Sequence, residues 1–110
     1  MNNIPEGILN ECRKYARKFT KEECCAIIKK EGDCLVFQPC ENTHPDKTNF
    51  FTINPEEFIY NHVVYVFHSH YNCGARPSSM DKESSTELCI PFLIYSLLYD
   101  DFYLYRNISV

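Results

Sequence analysis

Apolar residues near the start of the chain are spaced as they would be along one face of a helix: Ile8, Cys12, Tyr15 and Phe19. Charged Glu, Arg and Lys residues stand between them and would face water. This periodicity predicts an amphipathic helix that begins after Pro5 and ends near Thr20.

The pattern then changes to short β-prone runs. Residues 24–29 and 34–38 stand on either side of Glu31-Gly32-Asp33, which predicts a hairpin. The other predictions for this half are a loop over 43–47 around Pro45, strands over 49–53 and 63–68, and a short helix from the Asn54-Pro55 cap to about Tyr60.

In the second half, Ser78 or Ser79 is predicted to cap a helix that Pro91 ends. Two closing strands, over 92–98 and 102–108, are predicted around a turn at 99–101. The predicted order is α-β-β-β-α-β-α-β-β. Hairpins beside interspersed helices indicate a mixed, mostly antiparallel sheet with helices packed on it, in the α+β class.

Length and charge narrow the function classes. The 110 residues predict one domain over residues 1–110. The 11 Lys and Arg residues against 15 Asp and Glu residues argue against nucleic acid as a partner. The longest apolar stretch, Ile90 to Tyr95, is too short for a membrane span, so a soluble protein made in the cytoplasm is expected.

Seven cysteines are many for this length. They form no Cys-x-x-Cys pair and leave an odd one over, which argues against a zinc ribbon and a secreted disulfide framework. Several stand inside apolar runs, as in Cys24-Cys25-Ala26-Ile27, so most are predicted to be buried thiols.

Candidate chemistry concentrates between residues 68 and 81. His68 and His70 are two apart, which on a strand places both imidazoles on one face. A loop containing Gly74 and Pro77 could bring Asp81 to the same ion. Two His and one Asp would give three protein ligands, and a catalytic zinc keeps its fourth position for water.

Each of these residues has a simpler explanation. The two histidines could merely be exposed, and Ser78 and Asp81 fit an ordinary capping box at a helix terminus. Cys73 offers a different alternative, because a thiolate as fourth ligand would turn the zinc site into a structural one.

The same residues carry a family resemblance. His68-Ser69-His70, seven residues, Ser78, two residues and Asp81 resemble the JAMM motif of the MPN-domain metallopeptidases. That family also places a glutamate on an early strand, often in Glu-x-Cys-Gly, and Glu23-Cys24-Cys25-Ala26 is similar to it. The resemblance spans nearly the whole chain and implies a curved, mostly antiparallel sheet flanked by helices.

The resemblance implies zinc-dependent hydrolysis of amide bonds. Zinc would lower the pKa of its water towards about 7, Glu23 would act as general base and then general acid, and the Ser78 hydroxyl would stabilise the developing oxyanion. Glu22 is the alternative to Glu23, one residue away.

Three further segments are similar to the amino-terminal domain of the lambda-like phage tail assembly protein K group: residues 39–42, 51–57 and 91–97. This likeness implies tail tip or hub proteins as partners. It also implies a peptidoglycan peptide or a tail protein as substrate. The expected location is the host cytoplasm during assembly, with the virion tail tip as a second location.

Two other functions compete with a phage hydrolase. A structural tail-tip module could retain the metallopeptidase fold and dock on hub proteins, and a cytoplasmic JAMM isopeptidase would have no connection with phage. A docking surface could be formed by aromatic residues, which would otherwise belong to the core: Phe50, Phe51, Tyr99, Phe102, Tyr103 and Tyr105.

Overall fold

The computed structural model describes residues 3–106. Within them the helices are α1 (Glu6–Ala16), α2 (Glu56–Tyr60) and α3 (Ser79–Leu88). The strands are β1 (Cys25–Glu31), β2 (Cys34–Cys40), β3 (Val63–His70), β4 (Phe92–Ser96) and β5 (Asp101–Tyr105). No helix in this part of the chain has the length and apolar character needed to cross a bilayer.

The five strands form one sheet in the order β2-β1-β3-β4-β5. Neighbouring strands are antiparallel except β3 and β4, which are parallel and are joined through α3. A parallel pair needs such a crossover, whereas the antiparallel hairpins close with tight turns. The prediction of a mixed, mostly antiparallel sheet in the α+β class is confirmed.

Alternation along the strands divides the core between the two faces of the sheet. One face, with Ala26, Tyr65 and Phe67, packs against the apolar side of α1. The opposite face carries Val66 and Ile94, with the loop after β2 and α2 beside them. His68 and His70 follow Val66 at intervals of two, so they lie on this second face.

The first helix ends earlier than its apolar period predicts. Its last residue is Ala16, and the amides of Lys18 and Phe19 bond to carbonyls three residues back, Tyr15 and Ala16. This tighter turn keeps Phe19 in the core, where its ring lies 5.0 Å from that of Tyr15. The periodic spacing therefore continues beyond the helix itself.

The strand predicted over residues 49–53 is wrong, and this described segment is a loop. Its amides bond within the loop: Phe50 N–H donates to the Asp46 carbonyl and Thr52 N–H donates to the Asn42 side chain. Apolar content alone predicted a strand, but these backbone groups have no neighbouring strand with which to pair.

The aromatic residues are divided between core and surface. Phe51, Phe102 and Tyr105 are half-buried against the two cores, whereas Tyr99 and Tyr103 are 66% and 41% exposed. β5 is an edge of the sheet. The last residues of the strand predicted over 102–108 lie outside the described part of the chain.

Candidate metal centre

Two histidines at the end of β3 form the base of the candidate site. His68 is completely buried and His70 is 7% exposed. Their ring centroids are 5.1 Å apart, because residues i and i+2 of a strand share a face. Since β3 is paired on both sides, with β1 and β4, the backbone that carries these rings is fixed.

Asp81, in the first turn of α3, reaches both imidazoles. Its Oδ1 lies 3.0 Å from His68 Nε2 and its Oδ2 lies 3.2 Å from His70 Nε2. The residue is placed by a capping box: Asp81 N–H donates to Ser78 Oγ at 3.1 Å, and Ser78 N–H donates to Asp81 Oδ2 at 2.9 Å. The capping interpretation and the ligand interpretation therefore apply to the same carboxylate.

Glu23 approaches the histidines from the other side. Cys25 is opposite His68 in the register of β1 and β3, and continuing that register puts Glu23 opposite His70. Directly opposite residues of antiparallel strands share a face. Accordingly, a carboxylate oxygen of Glu23 and a ring nitrogen of each histidine lie within 4.8 Å of one another.

The middle serine of His-Ser-His fixes that register. Ser69 Oγ accepts a hydrogen bond from Cys24 N–H at 3.1 Å, and Ser69 N–H donates to the Cys24 carbonyl at 3.1 Å. Because Cys24 is bonded in this way, its neighbour Glu23 points to the histidines. Glu22, the sequence alternative, does not belong to the group of converging donors found among the described residues.

Burial sets the charge states of the site. It lowers the pKa of His68 and thus favours the neutral imidazole, the form that binds metals. Burial also raises the pKa of Glu23 to about 8, although His70 opposes this. For Asp81, burial acts to raise the pKa of the carboxyl, but the neighbouring ring nitrogens of His68 and His70 outweigh burial and hold this pKa well below its usual range.

His70 differs from His68 in its hydrogen bonds. Its Nδ1 lies 2.8 Å from the Gly74 carbonyl, which leaves Nε2 facing Asp81. Burial acts to lower the pKa of His70, but Asp81 and the Gly74 carbonyl outweigh burial and raise it. A backbone partner on the second ring nitrogen is the usual arrangement for a histidine that ligates a metal.

The side chains fit a metal ion. Within residues 3–106, neither ring nitrogen of His68 has a hydrogen-bond partner, since the approach to Asp81 lacks the alignment of a hydrogen bond. A buried polar atom without a partner requires a reason. Imidazole nitrogen and carboxylate oxygen are ligands that zinc takes. The two buried histidines, the half-buried Glu23 and Asp81 could therefore bind a zinc ion.

Ser78 and Cys73 lie at the edge of this site. Ser78 and Glu23 both line two adjoining cavities of about 180 and 200 Å³, and Cys73 lines the second. As the cap of α3, Ser78 Oγ accepts from Asp81 N–H, and its hydroxyl hydrogen can still be donated. Cys73 is exposed and is not among the converging donors of the described chain.

The cysteines are free thiols, and all seven lie in the described part of the chain. Those in the two cores are buried, as predicted for most of them: Cys12, Cys24, Cys25 and Cys40. Burial raises the pKa of Cys24 to about 11 and that of Cys40 to about 12. Thiols held protonated in this way are poor nucleophiles.

Asn42 holds the loop after β2 against the site, a role that was not predicted from the sequence. Its buried side chain donates to the carbonyls of Glu23 and Phe50, both at 3.0 Å, and accepts from the amides of His44 and Thr52 at 3.0 and 3.1 Å. A single Asn in a polar loop gives no signal for this role, because its four partners converge only after folding.

Replacing Asn42 with Ala is expected to destabilise the protein by about 2–3 kcal/mol, because four backbone groups would lose their partner in a buried place. Urea denaturation measures the change. Asn49→Ala is the matched control: Asn49 is exposed, lies in the same loop and bonds only to Asp46 among the described residues. Its replacement should change stability by less than about 0.5 kcal/mol. Equal effects of both variants would contradict the anchoring role.

Comparison with known proteins agrees with this architecture. Residues 5–105 match the Prok-JAB family, described as prokaryotic homologs of the JAB domain. The chain belongs to this family. The MPN-type classification suggested by the His-Ser-His segment is thereby confirmed.

Individual relatives have low sequence identity to this chain. The tail tip assembly protein K of Escherichia phage N15 is 28% identical over 78 residues, which cover 67% of this chain and 32% of that protein. The chain thus spans about a third of the length of this relative. Two solution structures share the fold: a Desulfitobacterium hafniense protein (TM-score 0.65, 23% identity, 89% of this chain and 77% of that one) and a Salinibacter ruber protein (TM-score 0.63, 18% identity, 96% and 81%).

Proposed function

We propose that this chain is a zinc-dependent hydrolase of amide bonds, with His68, His70 and Asp81 as the metal ligands. The observation that carries the proposal is the contact of one carboxylate with two buried imidazoles, at 3.0 and 3.2 Å. In the metal-bound protein, zinc would supply Lewis acidity and make a water more acidic.

The other polar groups of the site have distinct roles in this proposal. Glu23 is the general base and then the general acid, since it lies beside both histidines without the direct contacts that Asp81 makes. Ser78 donates its hydroxyl hydrogen to the carbonyl oxygen of the substrate as negative charge develops there. Asn42 holds the Glu23 carbonyl and Ser69 holds the backbone of the adjacent Cys24, so both are positioning residues.

The phage relative supports a proposal about the biological context. We propose that the chain acts with tail tip or hub proteins during tail assembly in the host cytoplasm, and that its substrate is a tail protein or a peptidoglycan peptide. The likeness to the tail tip assembly protein of phage N15 supports this context. A single hydrolase domain over residues 1–110 is part of the proposal.

Zinc titration of metal-stripped protein tests the metal site. We expect one zinc per chain, and no tight site after His70→Ala. His62→Ala is the matched control, because His62 is exposed just before the same strand, and it should bind zinc as the parent does. Stoichiometric zinc binding by the His70 variant would contradict the ligand set.

Hydrolysis is tested separately, by measuring new amino groups released from purified tail proteins and from peptidoglycan. The zinc-loaded protein should release them from one substrate and should stop when a chelator is added. A zinc-loaded protein that binds tail proteins and cleaves neither substrate would instead be a structural tail-tip module.

A further inference from the structure

A separate cavity lies next to the metal centre on the same face of the sheet. Its volume is about 230 Å³. It is open to solvent on one side and is bordered by α2, α3, the loop after β2 and the sheet. We refer to it as the apolar pocket because of its main lining residues: Phe51, Ile53, Phe58, Val66, Leu88 and Phe92.

The apolar pocket shares a wall with the candidate site. The Phe51 ring stacks on the His68 ring with centroids 4.4 Å apart, and the Phe92 ring meets His68 edge-on at 5.7 Å. Phe51, Thr52 and Ser84 also line the polar cavity that contains Glu23 and Asp81. If the carbonyl of a bound peptide lies at the histidines, the apolar pocket is separated from it only by the Phe51 ring.

The size of the apolar pocket and the charges around it determine which side chain it can bind. Cavities for drug-sized ligands are usually about 300–1,000 Å³, so this smaller one suits a single side chain. Glu87 lies among the lining residues, and Glu23 and Asp81 lie in the adjoining cavity. These carboxylates disfavour an acidic group, whereas the aromatic and aliphatic walls favour an apolar one.

We infer that the apolar pocket is a specificity subsite, which binds a bulky aliphatic or aromatic side chain next to the scissile amide of a polypeptide. This inference rests on the proposed function, because the subsite is defined by the bond that the metal centre would hydrolyse. It favours a protein segment with a bulky apolar residue over peptides of small or charged residues.

The pocket is tested first without metal. N-acetyl-L-leucine methylamide and N-acetylglycine methylamide are titrated into the metal-free protein while the backbone amide NMR shifts of Phe58 and Leu88 are followed. The leucine probe should bind with a dissociation constant on the order of 1 mM, as expected for a ligand this small. The glycine probe should show no saturation.

A variant at the rim then assigns the binding to the pocket. Leu88→Lys should weaken the leucine probe about 10-fold, and the fold should survive because Leu88 is 39% exposed. Leu98→Lys is the matched control, since Leu98 is 57% exposed and lies in the turn after β4. It should bind the leucine probe as the parent does.

A second series connects the pocket to the metal. N-acetylglycine hydroxamate reports the zinc centre alone, and N-acetyl-L-leucine hydroxamate adds the side chain. The leucine hydroxamate should bind the zinc-loaded protein at least about 10-fold more tightly than the glycine hydroxamate does. Leu88→Lys should remove this difference without weakening the binding of the glycine hydroxamate.

The outcomes separate the two proposals. Equal affinity of the two hydroxamates would overturn the subsite while the metal centre stands. If neither hydroxamate binds but the leucine methylamide binds the metal-free protein, the proposed hydrolase fails, and the subsite assignment fails with it although an apolar site exists. Equal binding of both methylamides would overturn the pocket directly.

Discussion

Replacing Glu23 with Gln is expected to leave zinc bound and to reduce amide hydrolysis by about 100-fold or more. Glutamine has nearly the same shape and keeps the hydrogen-bonding capacity of the site, but it cannot carry a proton from water to the leaving amine. The backbone of Glu23 is held by Asn42 and Lys47, so the variant should fold normally.

Zinc content and hydrolysis of the active substrate are measured on the same protein preparations. Glu22→Gln is the matched control, because it makes the same replacement one residue away and should change neither quantity. Loss of zinc in the Glu23 variant would show that Glu23 is a ligand. This is the main alternative, because Glu23 lies close to both histidines. Full activity would exclude it as the proton carrier.

Replacing Asp81 with Ala is expected to weaken zinc binding by at least about 100-fold, since loss of a ligand should cost no less than loss of its outer partners. The variant also loses half of the capping box of α3, which should destabilise the metal-free protein by about 1 kcal/mol. Competition with a chromogenic chelator measures the affinity, and urea denaturation measures the stability.

Ser78→Ala separates these two contributions. It removes the other half of the capping box, the hydrogen bond from Asp81 N–H to Ser78 Oγ, at a similar cost of about 1 kcal/mol, but it should keep zinc. Glu83→Ala, on an exposed position of the same helix, should affect neither stability nor affinity. If Ser78→Ala and Asp81→Ala lose zinc equally, the capping box and not the carboxylate determines binding.

How much the sequence could predict depended on how local each interaction is. His68 and His70 could be found because the period of a strand alone places them on one face. Asp81 could be linked to them by its place in the first turn after a loop. Glu23 required a family resemblance, since its approach to His70 depends on the register between β1 and β3, which are separated by more than thirty residues.

The features that were missed depend on tertiary contacts. Asn42 has three partners in its own loop and a fourth, the Glu23 carbonyl, in the segment before β1. Phe51 contacts His68 only when that loop lies over the sheet. The same loop produced the wrong strand over residues 49–53. Its aromatic residues have high β-propensity, but that preference gave way to side-chain hydrogen bonds that a linear pattern does not encode.

β3 lies in the middle of the sheet, so the strand that carries the two histidines and the loop that covers them should differ in local stability. Amide hydrogens of a strand paired on both edges exchange with solvent only through large-scale unfolding, whereas those of a surface loop exchange through local opening. The loop over residues 43–52 has Asn42 as its principal buried tether. The amides of β3 should therefore exchange far more slowly than those of this loop, so the spacing of the two imidazoles is set by a more stable part of the fold than the loop that covers His68.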